Sequence, residues 1–170
     1  FDDGGARRHA LDTMLRIADI VLMTEEEAGA VVGTDDAYEA VRRLMGRKDS
    51  NMSWCVVKMG ERGALLGDRK TGQIFLQEGY KVDVEDTVGC GDSFAAAISL
   101  GFWMCRRGEA DIESTLALAG AVGAATAMGE GAGRNVADIA RIQAILERSG
   151  SSNKVQGALQ MIQSALQTTN

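Results

Sequence analysis

Apolar residues at Leu11, Met14, Leu15 and Ala18 fall at i, i+3, i+4 and i+7, the spacing of one helix face. Ahead of them, Gly4 and Gly5 act as breakers and predict a loop over Phe1–Arg8. Polar Asp19 gives way to Ile20-Val21-Leu22-Met23, an unbroken apolar run that suits a parallel strand buried on both faces. Thr24 and Glu27 then stand at capping-box spacing, with Glu25 and Glu26 in the same first turn, where the helix dipole favours acid. Gly33 ends that helix, and Asp35 or Asp36 caps another through about Met45. Trp54–Lys58 predicts a second buried strand and Gly60–Gly63 a turn. Ala64–Leu66 with Gln73–Gln77 predict a hairpin across Thr71-Gly72. Val82–Glu85 alternates like a strand. Helical patterns follow over Ser93–Arg106, Ile112–Met128 and Val136–Arg148. After a polar linker, Val155, Leu159, Ile162 and Leu166 mark a last amphipathic helix, docked on the body or frayed. Strands alternate with helices early and helices cluster late, an α/β layout.

Composition narrows the class. A length of 170 residues fits one domain or a piece of a larger one. Hydrophobic residues at 45% and charged residues at 25% exclude a disordered tail, a collagen-like chain and a disulfide scaffold. The formal charge of -6 argues against a nucleic-acid partner, but not against a nucleotide held by backbone amides. The longest apolar run, Phe94–Cys105, is too short to span a bilayer, so no membrane partner is expected. No charged segment followed by an apolar one opens the chain, so the expected location is intracellular, cytoplasm or plastid, and not secreted. Cys55, Cys90 and Cys105 are odd in number and lack CxxC spacing, which supports neither a disulfide framework nor a zinc site. The chain has 21 glycines and no proline, so the places where glycine clusters carry the most information.

Asp86-Thr87-Val88-Gly89-Cys90-Gly91-Asp92 is the most informative of these places. Glycines at a helix start leave several N–H groups without intrahelical partners, let a ligand approach the backbone, and add the positive end of the dipole. Together they make an anion hole suited to phosphate. A carboxylate at Asp92, just inside the helix, is placed to take a proton from a hydroxyl held beside that hole. Positioning such a hydroxyl against a phosphoryl group is the main task of phosphoryl transfer. The plainer reading is a turn with an acidic first-turn residue, and the residues alone leave the two about even. There is no Walker A motif, and the third glycine of a dinucleotide fingerprint is missing.

The stretch Asp86–Phe94 resembles the C-terminal signature D-T-x-G-[AC]-G-D-x-F of the PfkB, or ribokinase-like, carbohydrate kinases. Further resemblances run in the same order. Phe1–Arg7 is similar to the family's F-D-P-G-P-R stretch with both prolines replaced, at Asp3 and Gly5. Ile20–Ala28 resembles its strand and N-x-x-E segment, with Thr24 for Asn. Val56–Ala64 resembles its strand and G-x-x-G turn, and Ala125–Asn135 the loop that closes over the adenine. Gly123–Gly129 is most similar to plant and algal members. The resemblance covers about Phe1 to Arg148. It implies the C-terminal portion of a three-layer α/β/α sandwich, a fold of roughly 300 residues in full. Residues 1–148 are then the nucleotide-binding and catalytic half of the kinase domain, and 149–170 a linker and C-terminal helix.

The function this implies is ATP-dependent phosphorylation of a sugar or nucleoside hydroxyl. By the same resemblance Asp92 is the base, and Gly89, Cys90 and Gly91 form the anion hole. Lys58, Gly60 and Gly63 border the nucleotide. Glu27, with Thr24, belongs to the Mg²⁺ and phosphate network. Asp86, Val88, Thr126, Gly129, Gly131 and Asn135 match a monovalent-cation (K⁺) site built mostly of backbone carbonyls. Gly120 stands where a nucleotide-side Asn is frequent. A homodimer through an N-terminal lid outside this sequence is the partner the family suggests. The alternative is a kinase-like subunit of reduced activity that serves as a scaffold, a reading that Thr24 and Gly120 leave open and the intact Gly89–Asp92 motif opposes. A nucleophilic Cys90 with its pKa lowered by the helix, and His9 as base from a loop, is the weaker chemical rival. Metal binding by Glu25–Glu27 is weaker than a solvated helix start.

Overall fold

The structure is a computed structural model, described here for residues 4–131 and 137–167. Phe1, Asp2, Asp3 and Asn135 therefore lie outside the described residues, as do Ala132 and Gly133. The chain forms two compact units. The first runs to Gly60 and takes in Leu65–Leu76; the second comprises Glu61–Ala64 and everything from Gln77 onward.

The first unit holds α1 (Gly4–Ile17), β1 (Ile20–Thr24), α2 (Glu25–Val32), α3 (Ala37–Met45), β2 (Trp54–Lys58), all but Ala64 of β3 (Ala64–Asp68) and all but Gln77 of β4 (Gln73–Gln77). The expected loop over Phe1–Arg8 is overturned: helix begins at Gly4, and His9 sits inside it, exposed. Neither glycine needs a positive φ, so paired glycines lower helix propensity here without breaking it. Leu15 is buried while Met14 and Ile17 stay exposed.

The sheet has the order β1-β2-β3-β4, with β1 parallel to β2 and Thr24 opposite Lys58. The connections from β2 to β3 and from β3 to β4 are too short for parallel crossovers, so the sheet is mixed. Leu15, Val21, Met23, Ala28, Val41, Leu44, Val57 and Leu65 form its core. The capping box holds as read. Thr24 Oγ1 accepts from Glu27 N–H at 3.2 Å, and Glu27 Oε2 accepts from Thr24 N–H at 2.8 Å. Asp36, not Asp35, caps α3.

The second unit carries α4 (Cys90–Arg106), α5 (Ile112–Ala127), α6 (Ile139–Arg148) and α7 (Asn153–Gln167). Val82–Glu85 forms no strand; alternation of side chains cannot supply the ladder partner a strand needs. Instead Val82 packs against the helical core, and Glu85 N–H donates to the Ala127 carbonyl at 2.8 Å. Val136, where a helix is expected to begin, lies outside the described residues; the described helix begins at Ile139, because Asp138 is in extended conformation and caps it through Arg141 N–H. The last helix docks: Val155, Ala158, Met161 and Ile162 are buried with Ala117, Ala121, Leu118 and Leu146 of the same core.

Helices α4 and α5 set the frame of the site, and they touch where side chains are smallest. A Cβ built on Gly101 would lie 2.1 Å from Thr115 Cγ2. Gly101→Ala should therefore force the helices apart and cost about 1–3 kcal/mol, read as a lower urea midpoint. Adding Thr115→Ala should recover most of that loss, because it removes the obstructing methyl.

Candidate active site

Four helices among the described residues carry a side-chain cap: Thr24 on α2, Asp36 on α3, Asp111 on α5 and Asp138 on α6. Helix α4 does not. Its N-cap is Gly89, at φ 84° and ψ −8°, with no side-chain hydrogen bond. Helix geometry gives the first-turn N–H groups of Gly91 and Asp92 no carbonyl partner. Cys90 N–H is turned inward to the Thr87 carbonyl at 3.2 Å. The uncapped donors sit at the positive end of the α4 dipole, an arrangement that favours an anion. Asp92 lies in this first turn and is exposed.

The loop before α4 is tied down by Asp86. Its Oδ1 accepts from Val88 N–H at 3.0 Å and its Oδ2 from Gly131 N–H at 2.8 Å. Asp86 N–H also reaches the Ala127 carbonyl at 3.3 Å. The carboxylate therefore joins the loop before α4 to the loop after α5. The hydrogen bond from Val88 N–H, then that from Gly131 N–H, holds its pKa below the ordinary 3.8. The sign follows: the bridge is present above the ordinary carboxylate range and is lost as pH falls through the lowered value. In an acid titration the Gly131 amide resonance should move only below the usual aspartate range, whereas in Asp86→Ala it should stay unmoved across that range.

Around the same loops, Thr126 is buried at the end of α5, and its carbonyl accepts from Met128 N–H and, at 3.3 Å, from Gly129 N–H. The structure thus brings Asp86, Val88, Gly89, Cys90, Gly91, Asp92, Thr126, Gly129 and Gly131 together in the second unit. Burial pushes the Cys90 thiol pKa up, and the Asp86 carboxylate adds to the rise. This overturns the lowered pKa that a Cys90 nucleophile would need.

Thr24, Glu27, Lys58 and Gly60 lie in the first unit. Thr24 and Lys58 end adjacent parallel strands, and Glu27 is hydrogen-bonded to Thr24, so three of them share the C-terminal edge of the parallel pair. That edge is where α/β sheets hold ligands. Gly63 belongs to the second unit, where a Cβ on it would lie 1.9 Å from the Gln77 carbonyl oxygen. Glycine is required there by close backbone approach and by its φ of 99°. Gly120 also has a physical reason: a Cβ would meet Tyr80 Cε2 at 3.2 Å and Gln77 Cγ at 3.5 Å. The Tyr80 ring, with its hydroxyl donating to the Ala117 carbonyl at 3.3 Å, takes the space a longer side chain would use. Sequence reasoning missed Ser93 and Tyr80; only the x of D-x-F and a lone aromatic marked them.

Comparison with known proteins identifies the family. The description "pfkB family carbohydrate kinase" matches residues 2–139. An ATP-dependent ribose-1-phosphate kinase of Halopiger xanaduensis is 35% identical over 118 residues, covering 69% of this chain and 36% of that protein. A fructokinase of Klebsiella pneumoniae is 32% identical over 94 residues, covering 55% and 29%. Among solved structures, a putative ribokinase II of E. coli in complex with ATP and Mg²⁺ superposes with a TM-score of 0.71 at 25% identity, covering 86% of this chain and 44% of that one. The chain thus spans about a third of the length of the curated relatives it matches. Among the described residues, no helix is long and apolar enough to cross a membrane.

Proposed function

The chain belongs to the pfkB family of carbohydrate kinases, and from that membership and the geometry of α4 we propose that it carries the phosphoryl-transfer machinery of an ATP-dependent sugar kinase. The carrying observation is the glycine-capped start of α4, with Asp92 in its first turn and with the loops before α4 and after α5 tied by Asp86. Asp92 accepts the proton of the attacking hydroxyl, and the amides of the Gly89–Gly91 segment take up charge on the transferring phosphoryl group. The ribose-1-phosphate kinase and fructokinase relatives support a sugar or sugar-phosphate acceptor, and the ATP and Mg²⁺ complex of the E. coli relative supports ATP as donor.

Mg²⁺ would neutralise phosphate charge when bound. Glu27 fits it through a water network: its Oε2 is engaged at Thr24 N–H, which orients the carboxylate. A monovalent cation would be held by carbonyl oxygens of the Asp86–Val88 and Thr126–Gly131 loops, with Asn135. Lys58, Gly60 and Gly63 border the nucleotide in this reading. The full-length protein carrying this chain should release ADP from MgATP with one class in a panel of pentoses, hexoses, their phosphates and nucleosides. Absence of both turnover and nucleotide binding would replace this reading with the scaffold one.

A further inference from the structure

Ser93 and Thr126 are 33 positions apart, on α4 and α5, and both are buried, at 8% and 0% exposure. The Thr126 hydroxyl donates to Ser93 Oγ at 2.9 Å, and Ser93 Oγ donates to the Cys90 carbonyl at 3.1 Å. Ser93 thereby makes a contact common for its type in helices, with the carbonyl three residues back, while the single Thr126 proton is shared between Ser93 Oγ and the Val122 carbonyl, 2.8 Å away. Such local bonds alone would leave the two helix ends independent. Here the two hydroxyls meet, so α5 holds the rotamer of Ser93.

The consequence reaches the anion hole through one peptide plane. The carbonyl of Cys90 and the N–H of Gly91 belong to the same rigid trans peptide and point in opposite directions. A hydroxyl that fixes the Cys90 carbonyl therefore fixes the direction of the Gly91 N–H. Ser93 N–H holds the Gly89 carbonyl in the same way, at 2.9 Å, which sets the preceding peptide. We propose that Ser93 and Thr126 are a positioning pair that aims the Gly91 amide, with Thr126 acting through Ser93. This rests on the reading of residues 89–91 as the anion hole. It also explains why the last turn of α5, which leads into the loop bonded to Asp86, is joined by side chains to the first turn of α4.

Two measurements test the pair. In the full-length protein, the Gly91 amide resonance should shift in the same direction in Thr126→Val and in Ser93→Ala, and return in Thr126→Ser. A Gly91 resonance that stays fixed in Thr126→Val while its neighbours in α5 move would overturn the proposal. If Thr126→Val does not fold, Ser93→Ala, which removes one oxygen, is read by the same criterion. In the full-length protein, each single variant should lose about tenfold in kcat with KM for ATP changed less than about twofold, since the hole acts on charge that develops late. The double variant should be no slower than Ser93→Ala alone, because the two act in series. Additive losses would overturn the coupling. If the wild type phosphorylates no sugar or nucleoside, the functional reading fails, and the Gly91 resonance still decides whether the pair aims that amide.

Discussion

Asp92→Asn should lower kcat of the full-length protein by about two to four decades, the range for removing a positioned general base. The substitution is chosen for what it leaves intact. Asn has the same shape, stays in the first turn of α4, and is exposed there, so it breaks no packing. What it lacks is an oxygen able to take the hydroxyl proton. The N–H donors of the first turn are backbone groups and remain, so the affinity for ATP should change little. A loss confined to kcat marks an interaction made in the transition state. Steady-state kinetics at saturating sugar give the answer, and turnover retained in Asp92→Asn would sink the base assignment. Asp92→Ala should match Asp92→Asn closely. A much slower Asn variant would point to its amide hydrogens opposing the incoming hydroxyl.

Much of the frame behind that experiment was legible in the sequence, for local reasons. The Thr24–Glu27 capping box is decided within four residues, and the structure forms both of its bonds. Ile20–Met23 and Trp54–Lys58 read as buried strands because an all-apolar run has few other uses, and they pair in parallel. What escaped depends on residues far apart in the chain. Val82–Glu85 alternates like a strand, but its backbone meets a helix end at Ala127 and no neighbouring strand. Gly4 and Gly5 read as breakers, yet the helix that Leu11, Leu15 and Ala18 specify extends back through them. The site splits along the same line. Gly89–Asp92 is a contiguous motif and could be found by eye. The Asp86–Gly131 bridge and the Ser93–Thr126 contact span 45 and 33 positions, and no periodicity reports such pairs. Gly120 looked like a departure from a family pattern, and its cause, the Tyr80 ring, lies 40 residues upstream in sequence and could be seen only once folded.

Gly89→Val should cost far more activity than stability, and Gly108→Val should do the reverse. These glycines flank one helix. Gly89 caps the start of α4 at φ 84°; Gly108 follows its end at φ 74°, and nothing lies near a Cβ added to Gly108. Both occupy left-handed backbone that a β-branched residue enters at a cost of about 1–3 kcal/mol. Backbone strain of the same kind thus arises at the two ends of one helix. Gly108 closes α4 by donating to the Cys105 carbonyl at 3.1 Å, while Glu109 N–H reaches Met104 at 3.0 Å. Fraying that end should lower the thermal midpoint by a few degrees and leave kcat near wild type. At Gly89 the chain can relieve the same strain by rotating φ, and any such rotation swings the first-turn amides away from where the phosphoryl oxygens would sit. Loss of one such donor is worth about two to three decades in kcat. The informative quantity is the ratio of kcat loss to stability loss in the two variants, measured side by side. If both lose stability equally and keep kcat, the start of α4 holds no anion in the reaction, and the hole must be sought elsewhere.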